Sequence, residues 1–316
     1  MPGAVVASLG ELLVEFISTE TGGHNLHPLP YVGPFASGAP GIFIDQAARL
    51  GARAVFAGAV GADAFGTVLR QRLTGAGVSE ALIRTVPGLP TGTAHVSYND
   101  DGSRDFVFNI AHSAAALFPD GAGAVAAFRA AGAEVIHVSG STLGDPGMRG
   151  RVMAIVRTLK DAGVTLSFDP NIRTELMTDA GYMTAARDLL ALADYVLPSD
   201  ADAALLFPGV GFEEWSAGFL ARGARVVALK RGAGGAIARD AVGQHARPGH
   251  PVAVVDPTGA GDCFCATLVT CLLQGADLPA ALSRANAAGA LAVGKLGPME
   301  GNSTRAQIEA FLAARA

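Results

Sequence analysis

The chain has 316 residues, half of them apolar, with a formal net charge of −5. That length suits one large α/β domain with an accessory piece or two small domains, with a sizeable core in either case. The charge excludes the basic stripe of a nucleic-acid binder and the polybasic run of a membrane-surface protein, and no stretch of about 18 apolar residues is available to span a bilayer.

The opening MPGAVVASLGELLVEF lacks the basic start and cleavage site of a signal peptide, so the expected compartment is the cytoplasm. Residues 5–9 are a short apolar run ending at Gly10, the pattern of a buried strand. Residues 12–17 alternate apolar and acidic positions, as a half-exposed strand does. Residues 21–40 are rich in Gly, Pro and His without periodicity and predict a loop or small flap. Residues 41–50 predict a helix closed by Gly51, and 55–59 the next buried strand. Strands at 92–98 and 104–110 flank Asn99-Asp100-Asp101-Gly102, a hairpin turn. Together, 12–35 and 92–112 are expected to form a small β lid outside the main sheet.

From about residue 121 strands alternate with helices. The strands are expected at 135–138, 165–168, 195–197, 226–229 and 252–255. The helices are expected near 146–162, 178–192, 200–207, 213–222, 261–274 and 278–294. Such alternation predicts a mostly parallel sheet covered on both faces. Ligands in open sheets of this kind sit beyond the carboxyl ends of the strands. The three cysteines, Cys263, Cys265 and Cys271, share one expected helix and read as buried thiols of a reducing compartment.

The most informative string is Asp256-Pro257-Thr258-Gly259-Ala260-Gly261-Asp262, between an apolar run and a helical one. A turn of small residues opening a helix is suited to an anion. Its free N–H groups and the helix dipole favour negative charge, and Gly259, Ala260 and Gly261 carry no bulk to keep a phosphate away. Asp262 would compete with that anion unless it serves as a base. An aspartate there can take a proton from a hydroxyl while neighbouring N–H groups hold the phosphoryl group that the hydroxyl attacks. The plainer reading of Asp262 is an acidic residue in a first helical turn; the whole string favours chemistry.

Residues 254–273 resemble the C-terminal signature of the PfkB, or ribokinase-like, carbohydrate kinases. Other blocks agree in order. They are Gly10-Glu11-Leu12-Leu13-Val14-Glu15, Ser37-Gly38-Ala39-Pro40 with a helix ending at Gly51, and the glycine block from Gly58 to Gly66. Phe168-Asp169-Pro170-Asn171, Lys230-Arg231-Gly232 with Gly235, and Ala285-Asn286-Ala287 follow. The resemblance implies a single ribokinase-like α/β domain over 1–316: a three-layer fold whose mostly parallel sheet is flanked by helices, with a small β-sheet lid.

It also implies an ATP-dependent kinase of small sugars. Asp262 takes the role of base, and Gly259, Ala260 and Gly261 form the anion hole. Lys230, Gly232, Gly235 and Ser199 would lie near the nucleotide, with Asn286 beside the adenine. Asp202 matches the carboxylate that helps order Mg2+, although Ser199 stands where the family has asparagine. Asp256 and Thr258 match positions that hold K+ in some relatives. Glu15 would accept sugar hydroxyl groups, Gly38 and Ala39 would let the chain approach the sugar, and Arg173 would face the phosphates or the sugar. Asp45 and Asn109 are further sugar candidates, Asp45 because Ile42 replaces a usual asparagine.

Relatives acting on sugar acids tend to have an arginine near Ile110. The chain therefore looks most like the fructokinase and tagatose kinase branch, with a neutral ketohexose as substrate. A 2-keto-3-deoxygluconate kinase and a nucleoside kinase are the alternatives within the family. A non-catalytic sugar- or nucleotide-binding module is the alternative outside catalysis. A dinucleotide oxidoreductase is disfavoured: Gly232-Ala233-Gly234-Gly235 precedes the apolar Ala236-Ile237-Ala238 of a strand, where that fingerprint needs a helix. The expected partners are ATP and a small sugar, with no nucleic acid or membrane, and a homodimer through the lid.

Overall fold

Five consecutive buried residues form β1 (Val5–Leu9) at the heart of the main sheet in the computed structural model, which describes residues 3–118 and 121–315. The chain then runs through β2 (Leu13–Thr21), β3 (Tyr31–Ser37), α1 (Ala39–Arg49), β4 (Arg53–Gly61), α2 (Ala64–Gly75) and β5 (Ser79–Val86). Next come β6 (Gly92–Tyr98), β7 (Arg104–Asn109), α3 (Gly121–Ala131), β8 (Val135–Ser139), α4 (Pro146–Asp161), β9 (Thr165–Asp169) and α5 (Ala180–Leu192). The last part holds β10 (Tyr195–Val196), α6 (Asp200–Leu206), α7 (Phe212–Ala221), β11 (Val226–Lys230), β12 (Ala236–Arg239), β13 (Gln244–Arg247), α8 (Ala260–Leu273), α9 (Leu278–Ala292) and α10 (Arg305–Ala313).

The main sheet has nine strands in the order β13-β12-β11-β10-β9-β8-β1-β4-β5, and only the β11-β12-β13 end is antiparallel. Side chains alternate across it. In β1, Val6 enters one apolar cluster with α1, α8 and α9, while Ala7 and Leu9 enter another with α4 and α5. Both faces are thus covered, which is why these strands read as continuous apolar runs. A second sheet, β3-β2-β6-β7, stands apart from the first.

Two expectations about the elements need correction, and three elements had none. Residues 252–255 are not a strand: Val254 and Val255 are 63% and 52% exposed. The segment is held by the N–H groups of Val255 and Asp256 donating to the Val293 carbonyl at the end of α9. The sheet position beyond β11 is filled instead by β12 and β13, whose hairpin pairs Ala236 with Lys230. Within 21–40, expected to be a loop or small flap and in part to join the β lid, lies β3, a regular strand of the small sheet. It is mostly exposed and takes its place from pairing with β2 rather than from burial, so it shows no apolar period. α2, β5 and α3 escaped notice for a similar reason. Only Gly66, Leu69 and Leu73 of α2 are buried, and β5 is a largely exposed edge strand.

Asp45, expected as a sugar candidate, is engaged away from the cleft. Its fully buried carboxylate accepts from Arg49 Nε (2.7 Å), Arg72 Nε (3.0 Å) and Asn302 Nδ2 (2.7 Å). It joins α1, α2 and the loop before α10, and it does not line the cleft described below. Removing one side of such a cluster leaves uncompensated charge in a dry place, whereas an exposed ion pair contributes little. Asp45→Ala is therefore expected to lower unfolding free energy by about 3–5 kcal/mol in urea titration, against less than about 1 kcal/mol for Arg157→Ala, which breaks the exposed pair with Asp188.

Candidate active site

The carboxyl ends of the central strands open into a cleft of about 770 Å3 between the main sheet, α8 and the small sheet. That is the size range of small-molecule sites. Of the residues singled out from sequence, Glu15, Gly38, Ala39, Arg173, Ser199, Asp202, Lys230, Gly232, Gly235, Thr258, Gly259, Ala260, Gly261, Asp262 and Asn286 all line it. Asp45, Asn109 and Asp256 do not. Asn109 instead donates from the edge of the small sheet to Thr93 Oγ1 (3.1 Å).

The turn before α8 is built as its sequence suggests. Gly259 caps the helix in the left-handed region (φ 82°), and a Cβ there would stand 2.3 Å from the Pro298 carbonyl oxygen, so only glycine fits. The first helical bond is Cys263 N to Gly259 O (2.9 Å). The N–H groups of Ala260, Gly261 and Asp262 precede it and have no helical acceptor. Lys230 lies against this turn: a methyl group on Gly261 would sit 3.5 Å from its Nζ.

Asp262 is buried, and its Oδ1 has no protein partner. Burial, reinforced by the nearby Asp169 carboxylate, raises its pKa to about 7, with Lys230 and Arg173 pulling the other way. A carboxylate with a free oxygen and a pKa near neutrality, beside a cradle of N–H groups, is suited to accepting a proton next to a bound phosphate.

Glu15 on β2 is a second such group. Its Oε2 accepts from Ser37 Oγ (3.0 Å), and its Oε1 is buried without a partner. Burial is the largest influence and lifts its pKa to about 7, with Arg104 and Arg173 lowering it. Gly38 lets the chain pass close to Glu11, since a Cβ at its φ of 104° would stand 2.5 Å from the Glu11 carbonyl.

Asp202 has a more structural setting than the sequence indicated. Its Oδ2 accepts from Ser199 N (2.8 Å) and Oγ (2.6 Å) in a capping box, and its Oδ1 accepts from Ile172 N (2.8 Å). Ser199 thus serves as the cap of α6. Asn286 donates both of its amide hydrogens to the Arg247 and Pro248 carbonyls, bracing the cleft rim.

Several lining residues had not been singled out. Asp169, at the end of β9, forms an ion pair with Lys230, and Cys265 Sγ donates to it (3.4 Å). Glu11 accepts from Ser141 Oγ (2.6 Å) and Thr142 Oγ1 (2.9 Å). Asp169 and Glu11 lay inside the quoted motif blocks, so their position was a signal. Arg104 comes from β7 of the small sheet, and nothing local marks it; Phe106 and Phe108 of the same strand line the cleft beside it.

The pfkB family carbohydrate kinase profile matches residues 4–305. The 2-dehydro-3-deoxygluconokinase of Bacillus subtilis is 32% identical over 312 residues, covering 98% of this chain and 95% of that protein. An E. coli structure assigned provisionally as a ribokinase II, solved with ATP and Mg2+, is 38% identical with a TM-score of 0.90, covering 98% of this chain and 99% of that one. A fructokinase double mutant from Vibrio cholerae, solved with fructose, ADP and a potassium ion, is 27% identical with a TM-score of 0.82, covering 99% of each chain. With a match across nearly its whole length and the ribokinase-like fold, the chain belongs to the pfkB family of carbohydrate kinases.

Proposed function

We propose that this kinase transfers the γ-phosphoryl group of ATP to a primary hydroxyl of a small neutral sugar, with a ketohexose such as fructose or tagatose as the substrate class. The observation that carries this reading is Asp262, whose unpartnered carboxylate oxygen stands at the mouth of a glycine turn in the same cleft as Glu15. The sugar oxygen attacks the γ-phosphorus, the bond to the β–γ bridging oxygen breaks, and Asp262 takes the hydroxyl proton. The N–H groups of Ala260, Gly261 and Asp262, with Lys230, hold the phosphoryl oxygens. Glu15 Oε1 accepts from sugar hydroxyl groups, and Leu13, Phe106, Phe108 and Ile110 give the sugar an apolar wall.

Mg2+ fits this site as a companion of the nucleotide. Among the described residues no group of three or more His, Cys, Asp or Glu side chains is placed to hold a metal. Mg2+ commonly relies on phosphates, water and one or two carboxylates. Asp202 Oδ1 keeps an acceptor position for a metal-bound water, and when bound the ion would neutralise phosphate charge. The small sheet serves as a lid that excludes water from the cleft. Its β3 and β7 edges have no further strand among the described residues, and Val107 on β7 is 48% exposed; exposed edges of this kind support pairing with a second copy of the lid.

An acidic sugar is the second reading. Arg104 and Arg173 both line the cleft, and neither forms an ion pair among the described residues.

ADP release from ATP and Mg2+ is expected with one member of a panel of fructose, tagatose, ribose, 2-keto-3-deoxygluconate and adenosine, and Asp262→Asn should lower that rate at least ~10²-fold. If every compound is inert, or Asp262→Asn matches the parent, the catalytic reading is wrong; turnover of the acid alone selects the second reading. A base works deprotonated, so kcat/KM should fall as pH drops through about 7 and level off above it. Glu15 titrates in the same range, and Glu15→Gln separates the two. It should retain the acid limb while raising the sugar KM at least ~10-fold with the ATP KM little changed. Light scattering is expected to give about twice the 31.9 kDa chain mass; the monomer mass would rule out pairing through the lid.

A further inference from the structure

Asp256 is fully buried just outside the cleft, yet its carboxylate is crowded with donors. Tyr98, the last residue of β6, donates from its hydroxyl to Oδ1 (2.6 Å), and Thr258 N donates to the same oxygen (2.8 Å). Gly297 N donates to Oδ2 (2.9 Å). Thr258 Oγ1 in turn accepts from Arg104 Nη1 (3.0 Å), and Arg104 begins β7. Burial and the neighbouring Asp256 raise the Tyr98 pKa, so its hydroxyl keeps the proton it donates.

A monovalent cation at Asp256 and Thr258 would need oxygens facing it. Here both carboxylate oxygens point at hydrogen-bond donors, and a guanidinium occupies the one side-chain oxygen of Thr258. With three of the carboxylate's roughly four acceptor positions filled and a cationic guanidinium on Thr258, these side chains do not fit K+. The contacts also have a direction: both side-chain donors come from the small sheet, and both acceptors lie in the turn that leads to Asp262.

We propose that Tyr98 and Arg104 are positioning residues that take the place of a monovalent cation, so that the turn 256–262 is set by contact with the lid and the enzyme needs no K+. Lid position and anion-hole geometry then become one variable. A lid swung away removes the Tyr98 hydroxyl from Asp256 and the guanidinium from Thr258, and the N–H cradle is ordered only over a covered cleft.

The test compares KCl with N-methyl-D-glucamine chloride at equal ionic strength, using the full chain. Affinity for ADP with Mg2+ is measured by calorimetry. It needs no sugar, so it stands apart from the outcome of the sugar panel. The kcat is measured with whichever sugar turns over. For the parent, both quantities should agree within about twofold between the two salts, whereas Tyr98→Phe without K+ should lose at least ~10-fold in kcat and regain several-fold with K+ as its ADP affinity becomes K+-dependent. Tyr98 does not line the cleft, so a substrate contact does not explain such a change. Stimulation of the parent by K+ of about fivefold or more overturns the proposal, as does a Tyr98→Phe variant equal to the parent without K+. A loss in Tyr98→Phe that K+ does not restore also overturns it, because Tyr98 is then a structural contact only.

Discussion

The buried carboxylate of Asp256 gathers three parts of the chain that are far apart in sequence. Tyr98 reaches it from the small sheet, Thr258 from its own turn and Gly297 from the loop after α9. A buried carboxylate is costly unless its lone pairs are met, and hydrogen bonds to a charged group are worth about 1.5–3 kcal/mol each. The turn, the loop and the lid are therefore held by a common need. Gly259 is locked in the same place, because its αL backbone rests on the Pro298 carbonyl. The direction of α8, and with it the aim of Asp262, follows from these contacts.

Charge in the cleft is arranged so that Asp262 is neither paired nor buried alone. Lys230 is nearby, but its ammonium is engaged by Asp169 and shared with Cys265. A direct Lys230–Asp262 pair would hold the carboxylate ionised and occupy its free oxygen, making it a poor base. With its ammonium paired to Asp169, Lys230 stays near the turn, and burial together with the Asp169 charge raises the Asp262 pKa.

The parts legible in sequence were those whose chemistry is local. The 256–262 turn could be read because small residues, a proline and two aspartates at fixed spacing constrain the backbone by themselves. The strands β8 to β11 could be read because both faces of the sheet are covered there. Where an element depends on a distant partner, the sequence was silent or misleading. β3 exists because β2 pairs with it, and 252–255 looked like a core strand although α9 holds it at the surface. Asp45 sits one helical turn from Ile42, which faces the cleft, so a helix diagram puts it near the sugar. The convergence of Arg72 and Asn302 on it is invisible without coordinates.

The same distinction explains why the lid residues escaped the sequence reading although they matter to the site. Tyr98 and Arg104 are 158 and 154 positions from the atoms they touch. In an alternating hairpin, a terminal tyrosine and an arginine near a turn look like ordinary solvent-facing residues. Only the fold brings that hairpin over the carboxyl ends of the main strands and makes its tips part of the anion turn. The motifs beside the turn are contiguous in the chain and can be read there, whereas the contacts that the second sheet makes with it join residues far apart in sequence and exist only in the fold.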